Sequence, residues 1–203
     1  MTTLFEIPLR DVSSTTINNL QSKYPSATLR IEVEESPDYS TMNEDKFWQI
    51  IDLLDWKTLD SDAILAPAVE ALSHFSEENI HAFHDILNKK LYALDGRRFA
   101  EQVGSNRYAP EENKYFSADS FLYARCCVVG NGQVFYKKVL QNPAKMPKEY
   151  TFESLLYLPR KAWQLKTKQD NYNYFPETWN ETFSNPDGWT GIMTLKDRII
   201  SML

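Results

Sequence analysis

Apolar and polar positions alternate in residues 3–9 (TLFEIPL) and 27–34 (ATLRIEVE), and β-branched residues are frequent in both, which predicts two short strands. Between them, Asp11 to Tyr24 carries Ile17, Leu20 and Tyr24 at intervals of three and four, the spacing of one helix face. Ser13 or Ser14 can cap that helix and Pro25 ends it. The expectation is a small β-α-β unit over residues 1–38, followed by the polar linker ESPDYS at 35–40. Two strands alone leave open edges, so such a unit needs further packing.

From residue 39 onward the pattern turns helical. Thr41 and Glu44 have capping-box spacing ahead of an apolar stripe of Phe47, Trp48, Ile51 and Leu54. A second helix is expected from Ser61 to His74, with Pro67 acceptable only near its first turns. A third starts at Ser76, with Glu77 and Glu78 at its positive end. Its stripe of Ile80, Phe83, Leu87, Leu91 and Leu94 is the clearest in the chain, and the pattern can be followed to Val103. Gly104 to Lys114 reads as a polar loop. Ser117 opens a helix to Val129, Gly130-Asn131-Gly132 ends it, and Gln133 to Gln141 forms another, closed by Asn142-Pro143. A helix begins near Thr151 and is broken or kinked at Pro159, Asp170 to Gly188 is aromatic and irregular, and a last helix runs from Gly191 to Leu203. The fold class expected is therefore α+β: a predominantly helical domain over residues 39–203 with a small N-terminal β-α-β unit.

Composition narrows the function classes. With 42% hydrophobic and 13% aromatic residues the chain can build a core, and six glycines leave little material for a glycine-rich phosphate cradle. The N-terminus lacks the basic, apolar and small-residue regions of a secretory leader, and no apolar run is long enough to span a bilayer, so no membrane association is expected. Cys126 and Cys127 are adjacent and poorly placed to pair, which points to a reducing cytoplasm. The net charge of −6 is uneven: residues 1–95 hold 7 Lys and Arg against 17 Asp and Glu, the rest 15 against 11. An acidic front half repels phosphate backbones and steers toward a basic protein partner.

Two stretches carry a family resemblance. MNEDKFWQIIDLL (42–54) has a Phe-Trp-x-x-Ile-Asp core, and SADSFLYARCCVVGNGQVFYKKVLQNP (117–143) places Ser117, Asp119, Phe121, Arg125, Val128, Gly132 and Tyr136 in register. Together they resemble a bacterial domain-of-unknown-function family, number four-two-four-zero, over roughly residues 42–145. Ala118 stands where that family has an aspartate and Cys127 where it has a tryptophan, so the chain resembles a diverged member. The family carries no established activity, and some similar bacterial proteins sit in toxin–immunity settings.

The side chains that could carry chemistry are few. Asp119 and Arg125 share a helix six residues apart, and Arg125 is expected to brace a carboxylate elsewhere, such as Asp52. Asp52, Asp119 and Arg125 form the alternative site, a small-molecule or catalytic pocket. His81 and His84, with Glu77 and Asp85, have the spacing of a metal site, but Ile80 and Phe83 own the apolar face, so the histidines are expected in solvent. A Cys–His nucleophile would need a lowered thiol pKa, and adjacent cysteines in an apolar helix read better as small core residues. The cluster Lys137, Lys138, Lys145, Lys148, Arg160, Lys161, Lys166 and Lys168, interleaved with Tyr136, Tyr150, Tyr157 and Trp163, has the elements of base stacking, yet such lysines also suit helix ends. The aromatic segment with Tyr172, Tyr174, Phe175, Trp179, Phe183 and Trp189 is either an interface anchor or a lid on the core.

The expected function is a non-enzymatic protein-binding module of the immunity type, which neutralises a basic toxin or effector partner without a cofactor or metal. The expected contact set is Glu44, Asp45, Asp55, Asp60, Asp62, Glu77 and Glu78.

Overall fold

The computed structural model describes residues 7, 12–30 and 41–190. Backbone proximity divides the chain into two units, Met1–Asp38 and Tyr39–Leu203. In the first, helix α1 (Ser14–Lys23) starts from Ser13, whose hydroxyl accepts from the Thr16 N–H while Thr16 returns a bond to the Ser13 N–H. None of its residues is buried, although Ile17, Leu20 and Tyr24 have the helical spacing expected of a core face.

The α+β expectation is corrected. Among the described residues there are helices and no strand, so the described part of the chain is all-α and shows no β-α-β unit. Residues 27–30, the start of the second expected strand, have no regular structure. Residues 3–6, 8–9 and 31–34 of the two expected strands, and the expected helix from Gly191, lie outside the described residues. The physical reason is that alternation records only fitness for a half-buried pleated surface, and a strand forms only where a neighbour completes the ladder.

Among its described residues the second unit has seven α-helices: α2 (Glu44–Ile51), α3 (Ser61–Ser73), α4 (Glu77–Ala93), α5 (Arg97–Ala100), α6 (Ala118–Gly130), α7 (Gly132–Gln141) and α8 (Leu158–Thr167). Each N-terminal backbone donor row needs an acceptor. Asn43, not Thr41, supplies it for α2 by accepting from Lys46, while Asp60, Ser76 and Ser117 serve α3, α4 and α6. Pro67 sits inside α3 on its exposed side, deeper than expected. Pro159 does not break its helix. It lies in the first turn of α8, where a missing N–H leaves nothing unsatisfied, and a 3-10 turn at Glu153–Tyr157 leads into it. Helix α4 ends at Ala93 rather than continuing, and Gly96 starts the separate α5.

Helix α4 is the central element, packed against α2, α6 and α8, and α3 lies along α8. Ile80, Phe83, Leu87 and Leu91 are fully buried on α4, facing Phe47 and Ile51 of α2, Phe121 and Val128 of α6, and Leu158 and Ala162 of α8 in one continuous core. Between α6 and α7, Gly132 takes φ +83° with Asp52 Oδ1 only 2.7 Å from where a Cβ would lie, so a glycine is required there. No helix among the described residues is long and apolar enough to cross a membrane.

Candidate functional site

The C-terminal end of α4 brings together Asp95 and Arg125, the buried charged side chains among the described residues. The last-turn carbonyls of a helix lack internal donors. Here Leu91 and Tyr92 accept from the Leu94 and Asp95 N–H groups, and three side chains from distant parts of the chain add further donors. Tyr136 donates to the Lys90 carbonyl at 3.3 Å, Arg125 Nη1 to Leu91 at 3.0 Å and Asn185 Nδ2 to Tyr92 at 3.2 Å. Just beyond the helix, Asp95 is 1% exposed and its carboxylate accepts from the Phe183 N–H, the Asn185 N–H and the Trp189 indole at 3.2, 2.9 and 2.8 Å. Arg125 is fully buried, lies against the Phe121 ring and donates Nη2 to Thr182 at 2.9 Å. Burial lowers the Arg125 pKa, and the Asp95 and Glu181 charges oppose that shift.

These contacts tie down residues 170–190, a strap that follows α4 from its first turns to its end. Tyr172 shares a 3.0 Å hydrogen bond with His84 Nδ1, and Tyr174 donates to Asp85 at 2.7 Å while stacking on His81 with centroids 4.1 Å apart. Further along, Asn88 donates to the Thr178 carbonyl at 2.8 Å and accepts from Asn180 at 3.1 Å. Burial lowers the His84 pKa to about 4, and burial with the Asp85 hydrogen bond raises that of Tyr174 to about 12.

Exposure then alternates along the strap. Tyr172, Tyr174, Pro176, Thr178, Asn180 and Thr182 are half-buried, whereas every odd-numbered residue from 171 to 183 is exposed. The outward row contains Phe175 at 80%, Trp179 at 68% and Phe183 at 51% exposure, with Glu177 and Glu181 between them. Phe183 holds φ +74°, a left-handed conformation unusual for a phenylalanine, fixed by its N–H on Asp95 and its ring 4.4 Å from Trp189. The aromatic segment is thus a lid in part. Tyr172, Tyr174 and Trp189 cover the helical core, and Phe175, Trp179 and Phe183 face solvent.

The acidic residues singled out by sequence are not one surface. Asp60 and Asp62 start α3 and Glu77 and Glu78 start α4, so the length of α3, about 20 Å at 1.5 Å per residue, lies between the pairs. Glu44 pairs with Lys90 at 2.7 Å and Asp62 with Lys161 at 3.1 Å, while Glu77 accepts from the Trp163 indole at 2.8 Å. Asp60 caps α3 and Asp55 accepts from the Lys57 N–H. Asp45 and Glu78 are exposed, and the Glu78 carboxyl is held low by its own backbone N–H and by Ser76.

Nor do Asp52, Asp119 and Arg125 converge. Asp52 is exposed at the end of α2, Asp119 is exposed in the first turn of α6, and Arg125 points inward to Leu91 and Thr182. The expected Asp52 partnership is replaced by the end of α4 because Arg125 lies on the α6 face packed against it. His81 and His84, expected in solvent, are instead covered by the strap, since Tyr172 and Tyr174 from the end of the chain complete the site. Burial pushes the Cys126 thiol up to about 12, away from nucleophile chemistry. Among the rings of the basic cluster, Tyr136 and Trp163 are buried and unavailable for base stacking.

The residue that sequence reasoning missed is Asp95. Its one local signal is an aspartate directly after the apolar stripe ends at Leu94. A helix C-terminus is an unfavourable place for a carboxylate unless donors and a cation surround it.

The model of the family described as protein of unknown function (DUF4240) matches residues 42–165, more than half of the chain. No curated protein and no solved structure matches it.

Proposed function

The chain belongs to this family, and from that premise we propose that it is a non-enzymatic protein-binding module that neutralises a partner toxin or effector by covering its surface. The observation that carries the reading is the outward row of the strap: three large aromatic side chains at 51–80% exposure on a segment held in place by part-buried hydrogen bonds. Rigid, exposed aromatic side chains are the kind of group that anchors protein interfaces, because they cover a large area with little loss of conformational freedom. The ordering of the strap is already provided by α4 and Asp95, so a partner does not have to supply it on binding. A bacterial cytoplasmic setting, consistent with two unpaired cysteines, belongs to the same proposal.

The test compares the tagged chain with a Phe175→Ala/Trp179→Ala variant in the native host. A protein retained in stoichiometric amount by the wild type, lost by the variant, and toxic when produced without this chain is the expected result. Equal retention by both would remove the strap from the interface, and no toxicity would remove the inhibitor role.

A further inference from the structure

We infer that the outward row of the strap is a docking face for a lysine- or arginine-rich segment of a partner protein, held by rings that accept cations and by carboxylates between them. This rests on the protein-binding reading above and names its partner chemistry. Residues 170–190 contain Asp170, Glu177, Glu181 and Asp187 and no lysine or arginine. Within the outward row the order is Phe175, Glu177, Trp179, Glu181, Phe183, so each acid lies between two exposed rings. The face of an aromatic ring attracts a cation within about 6 Å, tryptophan most strongly, and a neighbouring carboxylate adds a direct pair. The chain already uses ring–cation contacts internally, where Lys90 lies 5.8 Å from Trp48 and 5.7 Å from Tyr136 while its amine pairs with Glu44. The strap segment supplies rings and acids to its outward row but no lysine or arginine of its own.

Charge also decides between classes of partner. A row bearing acids and no bases repels nucleic-acid phosphates and anionic lipid surfaces, whose binding needs local positive charge. It attracts a basic protein segment, and such complementarity acts on partner choice and encounter rate.

The experiment measures binding of a fluorescently labelled peptide with lysine at every second position, beside a counterpart with glutamate at those positions, to the full chain. Wild type is expected to bind the lysine peptide and not the glutamate peptide, with affinity falling as salt rises. Glu177→Lys should weaken that binding about tenfold, and Glu181→Gln, chosen because Glu181 lies near Arg125, should weaken it less. Phe175→Ala/Trp179→Ala should also weaken it, with thermal unfolding showing that each variant is folded. Equal affinity for both peptides, or lysine-peptide binding untouched by Glu177→Lys, overturns the inference. A native partner lost by Phe175→Ala/Trp179→Ala but retained by Glu177→Lys would overturn it while leaving the protein-binding function standing. Retention of that partner by both variants would overturn the inference and take the strap out of the interface, whereas retention of no protein by the wild type would end the protein-binding reading.

Discussion

The Trp189 indole donates a 2.8 Å hydrogen bond to the buried Asp95 carboxylate, so the far end of the strap closes onto the end of α4. Asp95 collects two backbone N–H groups besides that indole and lies near the Arg125 charge. A carboxylate with several strong donors beside a buried cation is costly to remove, because its partners stay buried without it. Asp95→Asn is expected to cost about 3 kcal/mol. For a chain of this size that lowers the thermal midpoint by roughly 6–12 °C. Thermal unfolding followed by circular dichroism checks it, and a midpoint within a degree or two of wild type would show that Asp95 is not the fastening point.

Arg125 and Asp95 should behave as one unit. Arg125→Met removes a charge that burial disfavours, but it takes one donor each from the Leu91 carbonyl and the Thr182 hydroxyl, and it leaves Asp95 without the neighbouring Arg125 charge. Each single substitution is therefore expected to destabilise more than its share of the double variant Arg125→Met/Asp95→Asn. The coupling from a double-mutant cycle in urea should be about 1–3 kcal/mol. Strict additivity would mean that the guanidinium and carboxylate do not sense each other.

How much of this was legible in the sequence depends on range. The cap residues Ser13, Ser76 and Ser117 were readable because a cap is satisfied within three residues, as the Ser13–Thr16 and Ser117–Ser120 pairs are. The apolar stripe of α4 was readable because its burial follows from spacing alone. The β-α-β unit was misread because alternation in 27–34 says nothing about whether a neighbouring strand exists. Asp95 went unread because its donors lie 88 to 94 residues away, and no local pattern marks an acid that will meet them. The same range hid the strap over His81 and His84. The acidic contact set was chosen by charge, whereas in the fold Glu44, Asp62 and Glu77 go to Lys90, Lys161 and Trp163, and Asp60 caps α3.

The two adjacent thiols should differ in reactivity. Cys126 is fully buried with its pKa pushed up to about 12, whereas Cys127 is half-buried, is raised by burial, and takes a contact from Asn131. Since the thiolate is the reacting form, a disulfide reagent at pH 8 should modify native Cys127 slowly and leave Cys126 untouched, while both react in guanidinium. Mass spectrometry of the digested protein assigns the label. Rapid labelling of native Cys126 would contradict the packing of α6.

Acid should loosen the strap through His84. The folded protein holds its imidazole neutral, with a pKa lowered to about 4 from the ordinary 6.5, chiefly by burial and further by His81, against the opposing charge of Asp85. Tyr172 and Tyr174 cover it from the strap side. Between those two values the unfolded chain binds more protons than the folded one, so stability is full above about pH 6.5 and falls as the pH drops toward 4. The contribution at stake is at most about 3 kcal/mol, taking 1.36 kcal/mol for each unit between the two pKa values. His84→Phe keeps a ring against Tyr172 and removes the titration, so its stability should change less between pH 7 and pH 4.5 than that of wild type. Urea midpoints at both pH values measure the difference, and Trp179 and Trp189 fluorescence reports whether the strap moves first. Identical pH dependence in the two proteins would assign the acid sensitivity to other groups.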